Sequence, residues 1–535
     1  MRYYKKAIAA IMAVAVLVGL EPYIERISIH GVQCASAQTL EDTMETSAQL
    51  SESATGIPTQ TPDVTQGVSA CDYYQNMSTI GKDTSVVTIS NADDLRAYMK
   101  IMQKVTGFGL TFVQTADIAL SDYNFRYDKS LKRIAVYDGD TLKCTVASDG
   151  TAYQPDNSDR SASYAALGMS EDFLWLHGHD FHGVYQGNHH RISGALLGGS
   201  SAIFGNARGA VVNLVLEGCA EIAATDCALF AKELQGAIVN CCARNCIIVD
   251  VERGYSAWDV GAFASRVTEK AVVEQCTSEN NQVIAEGICG ENINLNVGGI
   301  AGSSYGSIRD CRVQGGGSNA GGVSGLISAG EIMGCCKSAD VYGMCYTGGI
   351  CGWNAAMTYL QMSECVNEGT VHGCSETSGS MKQYAGGIIG YTLNGITINR
   401  CRNAGNISSG EQSCNAAPVS VGGILGGGWN DGSCDWIISN TVNTGTLIER
   451  QHSISYIGGV VGDGAYPLLR LSNIANFGTL LYTVQDTYAE AAIGGILGRG
   501  CEAEQTGSTI WNLLQQHAMT NCVNYGTVQF DSDSK

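Results

Sequence analysis

Residues 385–408 read AGGIIGYTLNGITINRCRNAGNIS, and the phrase returns in the next three units. Val421 opens VGGILGGG, Ile457 opens IGGVVGDG and Ile493 opens IGGILGRG. The glycine pairs begin at Gly386, Gly422, Gly458 and Gly494, a step of 36 each time. Downstream, each unit closes on Gly-Asn or Gly-Thr followed by an apolar residue: Gly405-Asn406-Ile407, Gly445-Thr446-Leu447, Gly478-Thr479-Leu480 and Gly526-Thr527-Val528. A fixed period of roughly 20–50 residues marks a stacked array, in which each unit buries its apolar face against its neighbours.

Upstream the unit continues in looser form. Gly298, Gly321 and Gly348 start clear copies, and Ser201–Gly205, Cys227–Ala231 and Val260–Ala264 start weaker ones, ten units in all. Within a unit the apolar residues come in short runs bounded by Gly, Asn or Ser. Runs that short, with no helical period between them, exclude a helical solenoid and a βαβ array. Each unit is therefore one coil of a parallel β-helix, carrying three short strands and a loop. Coils spaced about 4.8 Å apart make ten of them a rod of roughly 50 Å.

Composition agrees with a folded repeat array. The 535 residues include 67 Gly and only 6 Pro, with 44% hydrophobic and 15% charged residues. The net charge is −20, which disfavours nucleic-acid backbones as partners. Residues 1–37 read as a signal peptide. Arg2, Lys5 and Lys6 precede an apolar run from Ala7 to Leu20, shorter than the ~20 residues of a membrane span, and Ala35-Ser36-Ala37 offers a cleavage site. The chain is expected to be exported, secreted or held at the cell surface, and not membrane-spanning. Gln33 before Cys34 argues against a lipid-modified cysteine.

Residues 38–84, rich in Ser and Thr, are expected to form a flexible leader. Residues 85–170 form an N-terminal α/β cap with an insertion. In it Val86–Ile89 is a strand, and Ser90 or Asn91 caps a helix whose Leu95, Tyr98, Met99 and Met102 share one face. Residues 171–530 are the β-helix.

The unit resembles the GLUG-motif repeat: a Gly-Gly-apolar-x-Gly phrase, an Asn-Cys or similar pair, and a Gly-x-Val closer. The segment Phe181-His182-Gly183-Val184-Tyr185-Gln186-Gly187-Asn188-His189-His190-Arg191-Ile192 resembles the phrase that precedes such repeats, departing from it at Gln186, His189 and Arg191. The resemblance covers about residues 85–530. It implies a right-handed parallel β-helix on a bacterial surface or secreted protein, and it implies no activity.

Candidate sites are few. His177, His179, His182, His189 and His190 crowd one stretch beside Asp180, a composition that could suit a metal, yet three of them lie inside the structural phrase and no His-Glu-x-x-His occurs. Cys241, Cys276, Cys311, Cys335, Cys365, Cys401 and Cys522 occupy one slot in successive units, where Thr441 and Ile474 also stand. The slot wants a small, mostly apolar group, so an inward ladder of free thiols is expected, with Cys242 and Cys336 pointing outward. Asn367, Asn403, Asn443, Asn476 and Asn524 precede the closers and are expected to bond along the stack in left-handed turns. Gly302-Ser303-Ser304-Tyr305-Gly306 spells the hydrolase elbow but lacks the strand–turn–helix setting. Asp463, Asp531 and Asp533 show no recurring calcium phrase.

No catalytic, cofactor-binding or metal-ligating residue is assigned. Two function classes remain: a non-catalytic, adhesin-like binding protein for a protein or glycan partner, and a polysaccharide-acting lyase or hydrolase. The lack of a recurring acid–base cluster favours the first. A groove with two carboxylates near a basic residue would favour the second.

Overall fold

In a computed structural model the structure describes residues 67–532, except 78–84, 176–178, 200–201, 252–257, 286–294, 315–316, 319–320, 344, 357–358, 374–381, 410–417, 430–433, 451–453, 465–467, 485–489 and 500–517. The proposed signal peptide at 1–37 and most of the leader at 38–84 lie outside the described residues. All described residues belong to one compact unit, Thr61–Lys535.

That unit is a parallel β-helix with a small α/β cap. One coil shows its plan through five short strands, Ile396–Asn399, Arg402–Asn403, Ile407–Ser408, Val419–Gly422 and Leu425–Gly428. We call the five resulting tracks a to e. Each strand pairs in parallel with its counterpart one coil on: Ile396 with Trp436, Arg402 with Val442, Ile407 with Leu447, Val421 with Ile457, and Leu425 with Val461. Tracks a and b join the N-terminal strands in a 24-stranded sheet, track c is a 12-stranded sheet and track e a 10-stranded one. The expected three strands per unit are thus five. Tracks d and e flank the repeated Gly-Gly phrase, and their short Gly-rich strands, some with Ser, lack the β-branched runs that would announce two separate strands. Along track a of the repeats the step from coil to coil also varies, from 24 residues between Ser307 and Glu331 to 48 between Arg470 and Ala518.

The turn between tracks a and b rests on one left-handed residue per coil: Gln275 (φ 55°), Asp310 (51°), Glu364 (58°), Arg400 (55°) and Asn440 (52°). The asparagines expected in that conformation, such as Asn403, have none of it; they stand in track b with their side chains turned inward. Glycine serves a different purpose at the d–e corner. A Cβ on Gly422 would strike the carbonyl of Leu425, so the two strands of the corner approach backbone to backbone. The residues after each pair fill the core. Ile388, Ile424 and Val460 have no exposed surface, while Ile496, in the last described Gly-Gly unit, is only partly buried.

The N-terminal end is closed. Asn91 caps the helix Ala92–Val105 by accepting a hydrogen bond from the Asp94 N–H at 3.0 Å, and Leu95, Tyr98 and Met102 face inward. Tyr98 packs edge-on to Phe112 (ring centroids 4.9 Å apart) and Tyr185 (5.7 Å), a plug over the first coils. Val68–Ser69 and Ala70–Gln75, inside the stretch read as a leader, form a strand and a helix. The strand extends the sheet through Val87 and Thr88, because Tyr73 and Tyr74 supply the apolar cover that the surrounding Ser/Thr composition lacks. The insertion is a five-stranded antiparallel sheet, Asn124–Ser161. It packs Ile134, Val136 and Val146 on the outer face of track c, against Ile222 and Val249.

Candidate functional site

Two columns of side chains point inward and are spent on structure. Cys276, Cys311, Cys335, Cys365 and Cys401 are buried free thiols stacked in one column, each donating to backbone carbonyls, as Cys365 Sγ does to the Ser363 carbonyl at 3.3 Å. Burial holds Cys276, Cys311 and Cys335 well above the usual thiol range; in Cys365 and Cys401 the interaction with the preceding thiol is the larger cause. Raised thiols are poor nucleophiles. Cys242 and Cys336 are half-buried, beside the column rather than in it.

The asparagine column is a directed chain. Asn367 Nδ2 donates to Asn403 Oδ1 (2.7 Å), Asn403 to Asn443 (2.8 Å), Asn443 to Asn476 (2.8 Å) and Asn476 to Asn524 (2.7 Å). Its acceptor end is occupied by a residue the sequence reading missed. Lys337 fills the asparagine slot one coil earlier and donates from Nζ to Asn367 Oδ1 at 3.1 Å and to the Thr370 carbonyl at 3.3 Å. Its side chain has no exposed surface, and burial lowers its ammonium to about 7.

Tracks d and e carry the columns that vary. Their outward residues sit opposite one another across the d–e corner and change character along the rod. Near the first coils the pairing is ionic: Asp259 of track d accepts from Arg266 of track e at 3.1 Å, from Ser303 at 2.7 Å and from Asn296 at 2.8 Å. Asp226 stands one coil earlier, accepting the Asp259 N–H at 2.9 Å and lying 4.0 Å from Arg266. Burial pushes the Asp226 carboxyl up, and the Asp259 charge adds to that against the hydrogen bond. This is a pair of carboxylates with a guanidinium beside both. Asp259, however, has both oxygens engaged.

Further along the columns turn aromatic. Tyr346 stacks on Tyr391 (4.5 Å, 18°) and meets Trp353 at 5.6 Å, while Tyr384 leans on Tyr391 at 4.8 Å. Tyr346, Trp353 and Tyr391 are partly exposed; Tyr384 is buried. The Tyr384 ring lies over Gly427, where a Cβ would come within 2.9 Å of it. Beyond that glycine the columns are ionic again. Arg499 binds Asp463 at 2.9 and 2.5 Å, donates to Tyr456 Oη at 3.0 Å and stacks on its ring at 4.0 Å. None of this was legible as a cluster, because only the register brings Asp259 to Ser303 across 44 residues.

The other candidates take structural places. His177 lies outside the described residues. His190 Nδ1 is 3.4 Å from Asp117 Oδ1, His182 donates its backbone N–H to the Thr106 carbonyl, and His189 holds a left-handed turn (φ 61°). Among the described residues no group of three or more His, Cys, Asp or Glu could hold a metal ion. Ser304 of the elbow-like phrase is buried at the end of a strand, its hydroxyl donating to the Gly306 carbonyl. Among the described residues no helix is long and apolar enough to cross a membrane.

No protein-family model matches the chain, and no curated protein does. One solved structure is similar, a protein from Bacteroides ovatus described as a "putative immunoglobulin A1 protease". The match covers 81% of this chain and 88% of that one, at 14% identity and a TM-score of 0.30. A likeness that weak carries no argument about this chain.

Proposed function

We propose that the chain is an exported, non-catalytic binding protein of the cell surface or its surroundings, adhesin-like in action and allied to the GLUG-motif repeat proteins. The observation that carries this reading is the division of labour among columns. The inward cysteines and asparagines repeat and close the core, whereas the outward residues of tracks d and e differ from coil to coil and recur in no acid–base set. Variable groups on a rigid scaffold suit recognition better than one conserved chemistry. The basic-then-apolar start of the sequence supports export.

A second reading, a polysaccharide-acting enzyme, has one observation in its favour. Asp226, with its carboxyl raised by burial, sits beside Asp259 and Arg266, which lie 3.1 Å apart, as an acid catalyst would. One experiment separates the two. The purified full chain is incubated with immobilised matrix proteins and with polysaccharides, scoring retention and release of new reducing ends. Saturable retention without new reducing ends is expected. New reducing ends that disappear in Asp226→Asn would replace the first reading by the second.

A further inference from the structure

The outward face of tracks d and e is a strip running along the rod, and its middle differs from its ends. At the ends every carboxylate named above has an arginine beside it: Asp259 with Arg266, Asp463 with Arg499. In the middle, Tyr346, Trp353 and Tyr391 present partly exposed rings on two adjacent coils. We propose that this aromatic stretch is a binding subsite for an uncharged polysaccharide lying along the rod axis. The proposal rests on the binding-protein reading and names the class of its ligand.

Three physical points lead to that ligand. Aromatic rings offer apolar area at small conformational cost, and the C–H faces of a pyranose ring are a matching apolar surface with hydroxyls at the edge. Those hydroxyls need fixed donors and acceptors nearby. Tyr456, partly exposed and held by Arg499 at 3.0 Å, stands two coils further on in the same column of track d as Tyr384, whose ring contacts Tyr391 and lies over the glycine beside the buried Asp463. Charge excludes the competitors. The strip's ion pairs are internally neutralised, so they steer neither sign of polymer, and a chain of net charge −20 repels uronates, sulfated glycans and nucleic acids. The coil step of about 4.8 Å also lets one extended polymer meet equivalent positions on successive coils.

The test is affinity electrophoresis of the full chain through gels containing laminarin, yeast mannan or soluble starch, with heparin and polygalacturonate gels and collagen-coated wells in parallel. We expect retardation by at least one of the uncharged glycans. Trp353→Ala and Tyr346→Leu should each weaken it by about tenfold. Tyr346→Phe, which keeps the ring, and Thr397→Ala, on the outward face of track a, should leave it within about twofold. Tyr346→Leu keeps apolar bulk, and its unfolding midpoint separates lost binding from lost folding. Quenching of Trp353 fluorescence by the retarding glycan, absent in Trp353→Phe, gives a second readout. Retardation by none of the three uncharged glycans, or retardation unchanged in Trp353→Ala, overturns the proposal. Binding confined to heparin or polygalacturonate, or to collagen, overturns the uncharged-glycan assignment while leaving the binding-protein reading intact. Binding to none of the probes overturns both. Shortening of a glycan whose binding still depends on Trp353 supports the subsite and overturns only the non-catalytic reading.

Discussion

The inward column of track b and the outward columns of tracks d and e are both stacks of one residue per coil, and they obey opposite rules. From Asn367 to Asn524 the inward column is the same side chain in each coil, with each amide donating to the next. The outward columns pass from carboxylate and guanidinium to aromatic rings and back within a few coils. A buried amide must be satisfied by whatever stands above and below it, so one asparagine requires another. A partly exposed side chain such as Tyr346, Trp353 or Tyr391 has water as an alternative partner and no such requirement, and the buried Asp259 and Asp463 of the same columns are satisfied by arginines instead. Substitutions should therefore cost stability inside and little outside.

The largest expected effect concerns the one inward position that breaks the amide rule. Lys337 has a folded-state value of about 7 against an ordinary 10.5. Between those values the unfolded chain holds a proton that the folded chain has released. Stability contributed by this site therefore falls as pH drops through that window, and the full cost stands below 7. Lys337→Met should remove that dependence. The stability difference between the variant and the natural chain should move in the variant's favour by roughly 4 kcal/mol from pH 10 to pH 7. Denaturant melts at several pH values measure it, and a flat difference would mean the ammonium is not held in the core.

Asn403→Leu should cost about 3 kcal/mol, since Asn367 Nδ2, Asn443 Oδ1 and the Gly405 carbonyl all lose the bonds they make with Asn403. A chemical-denaturation midpoint unchanged by this substitution would break the rule for inward positions. Cys401→Ala should cost about 1 kcal/mol through lost burial and a small cavity. In the same chain, thiol reagents should reach few of the column cysteines before unfolding and all of them after. Rapid labelling of Cys365 in the folded protein would show that the column opens. At the small end, Tyr346→Phe should change stability by less than about 0.5 kcal/mol, its altered group lying on the outward face. A larger loss would assign the outer columns a structural duty of their own.

The coil was readable because burial imposes sameness. Ile388, Ile424 and Val460 recur at a fixed step, and the column cysteines recur once per coil at steps of 24 to 36 residues. The left-handed corner was misplaced for the reverse reason. It falls on asparagine at Asn213, Asn240, Asn440, Asn473 and Asn521 but on Gln275, Asp310, Glu364 and Arg400 in the coils between, while the more regular asparagine two residues before each closing glycine is a core residue. The strip on tracks d and e was hidden because coil lengths from 24 to 48 residues scramble the spacing of residues that the register aligns. Lys337 was hidden as well: a lysine in an asparagine slot reads as surface until its neighbours are known.

The parallel pairing of coils has a mechanical consequence. Every coil-to-coil hydrogen bond lies along the rod, so tension applied between its two ends loads the coils in series and peels them singly from an end, instead of shearing many at once. A coil of 36 residues that occupied about 4.8 Å of rod pays out roughly 120 Å of extended chain. Thick and thin coils would release unequal lengths, from the 24-residue step at Ser307 to the 48-residue step at Arg470. Stretched between two attachments, such a rod yields in discrete steps of known length while the coils still closed keep their outward columns in register.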